Sequence, residues 1–406
     1  AAMTLENPGF GFGEGQANAI VGLYLFFVYV LSLPGGWVAD NVWGQKRAIF
    51  VGGIIIALGH FTMAGPMVGR PEQPTFFLGL ALVAIGTGFL KPNVSTIVGD
   101  LYPEGGARRD AGFSVFYMGI NIGAMLGPLL CGAIGEGFSL FGFTYAGNWH
   151  LGFSLAGFGM LLGLIQYRLG AKHLDGVGDA PRDTPPNTLS QRERSFYLAS
   201  AAAVIVLGLF GALMVSGVIG LSLEQIAGGL GGVVVALVAA FFAYIVFFGG
   251  HSAEEKKRLG VIAWLFVLAA LFWSGFEQAS TSLNLFARDL TDRNILDAVI
   301  PASTLQLINP LFIIILAPVF GSLWVWLSKR NANPSIPVKF GMGLLGLSVG
   351  FFVLAWGSAN ATPESPVSPS WLIVTYFFHT CGERCLSPVG LSSMTMLAPM
   401  NRVGQI

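Results

Sequence analysis

Eleven apolar runs, each near the ~20 residues that a helix needs to cross a bilayer, follow one another along the chain. They fall at 17–39, 47–67, 76–100, 111–136, 150–169, 195–217, 225–249, 260–286, 304–328, 338–358 and 370–398. Lipid leaves no water for an unpaired backbone group, so a chain built this way spans as helices or as a closed barrel. The runs are continuous rather than alternating, which excludes the barrel. Composition agrees. Charged residues make up 10% and apolar residues 54%, against roughly 25% and 45–50% in soluble domains. Mean hydropathy is +0.69, and the 56 glycines suit helices that pack closely in lipid. Twenty-one basic residues balance twenty-one acidic ones, which argues against a nucleic-acid partner. Cys131, Cys381 and Cys385 all lie in apolar runs and read as small packing residues, without metal or disulfide spacing.

The loops set the orientation. Lys46/Arg47, Arg108/Arg109, the group Lys172 to Arg194, Lys256/Lys257/Arg258 and Lys329/Arg330/Lys339 fall on every second connection. The positive-inside rule puts that set in the cytoplasm and residues 1–16 outside. No signal peptide is visible at the start, so a preceding helix is expected to be missing, and LAPMNRVGQI stops where another run could begin. The polar stretch 171–194 reads as an exposed cytoplasmic linker. The domain reading is therefore 1–170 as a partial N-terminal helical bundle, 171–194 as linker, 195–250 as two inserted helices and 251–406 as a partial C-terminal bundle.

Three charges sit deep in the spans: Lys91, Glu277 and Glu383. A charge at mid-depth costs ~2.5–3.5 kcal/mol unless it is paired, neutralised or faces a wet cavity. Each is thus a functional candidate. Asn309 precedes Pro310, and the proline leaves an upstream carbonyl without its helical donor. Asn121 lies among glycines, and Tyr29, Tyr117 and Trp273 offer an aromatic face with a polar tip. His379 is one turn from Glu383, and His60 lies in another span; both read as hydrogen-bonded packing residues. Asn360-Ala-Thr362 forms a glycosylation sequon on an outer loop.

The turn GGWVADNVWGQKRA resembles the cytoplasmic signature of the major facilitator superfamily, with one extra residue before Gly44. Asp40 there can act with Lys46 and Arg47 as a gating latch across the turn. GTGFLKPNVSTIVGDLY followed by RRDAGFSVFYMGINIGAMLGP resembles the signature region of the proton-dependent oligopeptide transporters, a branch of that superfamily. FWSGFEQASTSLNLFA at 272–287, INPLFIIILAPVFGSLW at 308–324 and HTCGERCLSPVGLSSMTMLAP at 379–399 resemble that family's seventh, eighth and tenth helices.

The resemblance implies an all-α membrane protein with two six-helix bundles and two inserted helices, of which the first and the last two family helices are absent here. The first helix carries a Glu-x-x-Glu-Arg motif in the family, and nothing here matches it. Tyr29, Lys91, Asn121, Trp273, Asn309, Glu383 and Ser387 fall on positions lining the family's peptide site, with Tyr117 a weaker match. Glu277, Glu383 and Lys91 are linked to proton coupling. Arg384 departs from the family, where the residue after the tenth-helix glutamate is usually apolar; it can snorkel, pair with Glu383 or face another helix.

The expectation is a proton-coupled symporter that imports di- and tripeptides by alternating access, driven by the proton gradient without a cofactor. It is expected to act as a monomer in a bacterial inner membrane. The rivals are the same fold carrying nitrate or a glycosylated metabolite, and a membrane-embedded receptor or enzyme. No H-E-x-x-H, nucleophile elbow or G-x-x-x-x-G-K-[ST] supports the last.

Overall fold

A computed structural model describes residues 10–102, 106–140, 142–174, 176–179, 185–295, 298–359 and 361–397, without the side chains of 106–111, 114, 186, 215, 295 and 387–397. In chain order the helices are α1 (Glu14–Val30), α2 (Ser32–Val38), α3 (Gln45–Met63), α4 (Glu72–Asp100), α5 (Gly106–Gly127), α6 (Ala133–Glu136) and α7 (Trp149–Gly170). They continue as α8 (Pro186–Val215), α9 (Leu223–Phe248), α10 (Ala253–Phe276), α11 (Ser282–Asp289), α12 (Ile308–Lys329), α13 (Ile336–Gly357) and α14 (Ser370–Leu397). Among the described residues ten helices, some of them joined end to end, are long and apolar enough to cross a membrane. The 28-residue α14 covers residues 370–397 of the run read from the sequence at 370–398. Asn360 of the sequon lies outside the described residues.

Contacts divide the chain into two compact units: Ala1–Tyr117 with Asn148–Leu230, and Met118–Gly147 with Gly231–Ile406. In the first, α3 packs on α4 through glycines one heptad apart. A Cβ on Gly52 would lie 2.6 Å from the Gly86 carbonyl, and one on Gly59 would lie 2.8 Å from that of Gly79. Only glycine lets the two backbones come so close. Gly44 turns the chain into α3 with φ +77°, a conformation that favours glycine. Behind it Trp43 stacks on Phe89 at 5.3 Å and meets Phe196 of α8 edge-on at 5.5 Å.

The stretch expected as linker holds more structure than its polarity implies. The backbone N–H of Lys46 donates to the Gly178 carbonyl at 3.0 Å, and α8 already begins at Pro186. Proline at the first helical position is pre-set for a helix. Apolarity marks the part of a helix that lies in lipid, so the charged turns ahead of it read as loop.

In the second unit α13 and α14 pack by the same device, with a Cβ on Gly346 falling 2.9 Å from the Phe378 carbonyl. Leu265, Phe272, Phe340, Leu347 and Leu386 close one core; Leu283, Leu305, Leu372 and Tyr376 anchor another. Four short strands, which the sequence reading did not foresee, form one sheet of order β2-β1-β4-β3: β1 (Phe138–Leu140), β2 (Phe143–Tyr145), β3 (Asn294–Ile295) and β4 (Ala298–Val299). The charge rule places both parent loops on the outer side. Beside the sheet, the Glu136 carboxylate accepts the backbone N–H groups of Ala302 and Ser303 at 2.8 and 3.1 Å.

Candidate functional site

Lys91 sits in α4 immediately before Pro92. The proline has no N–H to give to the carbonyl one turn earlier and so weakens the helix locally. Neighbouring side chains knit the turn together. Asn93, 1% exposed, donates from Nδ2 to the Phe89 carbonyl at 2.7 Å, and the Ser95 and Thr96 hydroxyls both donate to the Pro92 carbonyl at 3.0 Å. On this tied turn Lys91 is exposed, and its Nζ stands 3.9 Å above the ring of Tyr29. The structure thus brings together two residues that the sequence put forward separately. An ammonium over an aromatic face keeps its N–H donors for a further partner.

At the Gly44 turn Lys46 donates to Asp179 at 2.8 Å. Arg47 lies 5.1 Å from the Trp43 ring and 3.9 Å from Glu193. Asp40 is exposed, and among the described residues no ion pair joins it to Lys46 or Arg47. Asp179, in the expected linker, supplies the partner instead. No motif pointed to it.

In the second unit α14 carries the acid. The side chain of Glu383 is 9% exposed, and its Oε1 accepts from Arg384 Nη2 at 3.0 Å. Of the three courses open to Arg384, the structure takes the pairing. Glu383 Oε2 and Arg384 Nε are buried without a hydrogen-bond partner among the described residues. A buried carboxylate oxygen in that state is a strong acceptor waiting for a donor. His379, one turn earlier, is 1% exposed and packs 4.7 Å from Phe351 and 6.4 Å from Phe276. Its ring packs among aromatics, but its Nε2 is buried without a hydrogen-bond partner among the described residues.

Asn309 is the second residue of α12, ahead of the buried Pro310. Its Nδ2 donates to Thr380 Oγ1 at 3.0 Å, and Thr380 Oγ1 donates to the Tyr376 carbonyl at 2.7 Å. Thr380 is fully buried, one turn before Glu383 on α14. It was missed in the sequence, although threonine three residues from a candidate acid shares its helix face. Trp273 is 36% exposed and packs edge-on against Phe276 at 5.2 Å. Asn121 is half-buried in α5. Ser387 lies on α14, its side chain outside the described residues.

Glu277 opens a break that the sequence reading took for continuous helix. α10 ends at Phe276, Glu277–Ser280 form a 3-10 turn, and Thr281 leaves helical geometry with φ −120° and ψ −95° before α11. Gln278 stitches the break: its Oε1 accepts the hydroxyls of Thr281 and Ser282 at 3.0 and 2.7 Å, and its Nε2 donates to the Ser274 carbonyl at 3.3 Å. The acid expected to couple protons therefore stands where the helix can bend.

The sequence profile of the POT family matches residues 46–406. The chain belongs to the POT family. It is 41% identical to the peptide transporter YePEPT of Yersinia enterocolitica over the whole of this chain and 78% of that protein. It is 35% identical to a di-/tripeptide transporter of Lactococcus lactis, over 98% of this chain and 78% of that one. A crystal structure of peptide transporter POT in complex with sulfate superposes with a TM-score of 0.85 at 38% identity, covering 98% of this chain and 77% of that one. A mutant of a peptide transporter POT in complex with alafosfalin superposes with a TM-score of 0.81, also at 38% identity, over 98% and 76% of the two chains. As a POT-family protein with a series of membrane-capable helices, the chain is an integral membrane transporter of the major facilitator fold rather than an enzyme.

Proposed function

We propose that this POT-family protein is a proton-coupled symporter that imports di- and tripeptides by alternating access, as a monomer in a bacterial inner membrane. Lys91 takes the peptide carboxylate with Tyr29 beneath it. Glu383 and Asn309 take the ammonium, and Trp273, Asn121 and Ser387 shape the space for side chains. Glu277 carries the coupled proton, with Lys91 and Glu383 adjusting their charge state to the load. Asp40, Lys46 and Arg47 gate the cytoplasmic end. The observation that carries the reading is the pair of charges in largely apolar helices, a cation exposed over an aromatic ring and a buried acid with one oxygen unpartnered among the described residues. Every unblocked di- or tripeptide has the complementary pair, at a spacing set by its length and not by its side chains. No cofactor enters, since the proton gradient supplies the work.

Purified protein in liposomes should accumulate labelled dialanine under an inward proton gradient and lose it when an uncoupler is added. A panel of di- and tripeptides should compete. If nitrate or a glycosylated metabolite competes and peptides do not, the fold carries another solute and the peptide reading is wrong.

A further inference from the structure

We infer that Thr380 is a positioning residue that fixes which end of the Asn309 amide meets the substrate, and so sets the preference for a free amino terminus. The inference rests on the peptide-site reading above. The argument runs through one proton. The Thr380 hydroxyl has a single hydrogen, and at 2.7 Å that hydrogen is committed to the Tyr376 carbonyl. What Thr380 Oγ1 then offers Asn309, 3.0 Å away, is a lone pair. Only an N–H can face a lone pair, so the amide must turn its Nδ2 to Thr380 and its Oδ1 away. An asparagine without this neighbour has two nearly isosteric orientations, one presenting a donor and the other an acceptor.

The orientation matters because of what it presents. A carbonyl oxygen attracts an ammonium, whereas an amide N–H repels it and favours an acetyl carbonyl. Thr380 is one turn from Glu383 on α14, so the acid and the threonine that orients the Asn309 amide share one helix face. Burial keeps water from competing for the hydroxyl, since Thr380 is 0% exposed. Pro310 adds rigidity from the other side by restricting the backbone around Asn309. A purely structural Thr380, present only to satisfy a buried amide, would affect all ligands alike.

The test compares the affinity of reconstituted protein for dialanine with that for N-acetyl-dialanine. Thr380→Val keeps the shape and removes the lone pair; Thr380→Ser keeps it. The valine variant should lose about tenfold of the preference for the free amine, with affinity for the acetylated peptide nearly unchanged. The serine variant should keep the preference. Asn309→Ala should lose it too, and adding Thr380→Val to that change should have no further effect. If Asn309→Ala loses the preference while Thr380→Val retains it, or weakens both ligands equally, the inference is overturned and the site stands. If Asn309→Ala retains it, the site reading itself has failed. Thr380→Ala, which adds no bulk, replaces valine if that variant does not purify as a monodisperse protein, and is read by the same outcomes.

Discussion

Lys91 and Glu383 bring opposite charges into apolar helices, and the two units treat them in opposite ways. Lys91 is exposed, held by a ring face at 3.9 Å. Glu383 is enclosed, held at one oxygen by the neighbouring Arg384. Side-chain chemistry accounts for the difference. Lysine has a four-carbon stem that can carry its charge to a wet surface while the stem packs. Glutamate is shorter, so its carboxylate stays near the helix and has to be satisfied where it lies. Among the described residues the cation meets only a ring face, whereas the acid keeps one oxygen without a hydrogen-bond partner.

Removing either charge breaks this comparison outright and should have the largest effect. Lys91→Ala and Glu383→Ala should each lower peptide uptake by about 100-fold or more, because the ligand's own charge is then left unpaired. Binding assays should separate them. The lysine change should weaken free-carboxylate peptides more than amidated ones, and the glutamate change free-amine peptides more than acetylated ones. Equal losses for blocked and free termini would remove both residues from the peptide ends.

Glu277 tests whether proton work is separate from peptide binding. Glu277→Gln keeps the size of the side chain but cannot ionise. It should abolish concentrative uptake under a proton gradient while leaving counterflow exchange within about fivefold of normal. If the variant still concentrates dialanine, coupling lies elsewhere.

A smaller effect probes what holds the lysine. Cation–π contacts contribute ~0.5–2 kcal/mol, so Tyr29→Leu should raise KM for free-carboxylate peptides by about 2–30-fold. Tyr29→Phe retains the ring and should stay close to normal. A Phe variant as poor as the Leu variant would assign the role to the hydroxyl instead of the ring.

The spans were legible because lipid imposes a length and an apolarity that survive in a single sequence, and the deep charges stood out against them. Lys91, Glu277 and Glu383 were found that way. Three things were hidden for physical reasons. Thr380 and Gln278 are small polar residues that membrane helices tolerate anywhere, so only their partners reveal a role. The bend after Glu277 follows the pair Ser274-Gly275, which membrane helices also carry without bending, and it is held by side chains that replace backbone bonds. The Lys46–Asp179 pair spans 133 residues, and no local pattern encodes a contact of that range.

That pair leads to the smallest effect. Lys46 and Asp179 are 25% and 33% exposed at their side chains, and exposed pairs of this kind contribute ~0.2–1 kcal/mol. Asp40, the residue expected to latch, makes no ion pair with Lys46 here. Two arrangements fit a working gate. If Asp179 is the partner that matters in every access state, Asp179→Asn should slow turnover by up to about fivefold, and Asp40→Asn should do nothing. If Lys46 exchanges partners as the transporter cycles, Asp40→Asn should slow turnover by a similar factor, because the state that needs it is destabilised. In both cases KM should hold, since neither acid belongs to the proposed peptide site. Steady-state uptake in liposomes reads both parameters, and 0.5 M salt should shrink the effect, with the Debye length then only about 4–5 Å. A Lys46→Gln background identifies the partner: the acid change that no longer matters there is the one that acted through Lys46. We expect Asp40→Asn to show the turnover effect. A large rise in KM at unchanged turnover would instead move Asp40 from the gate to the peptide site.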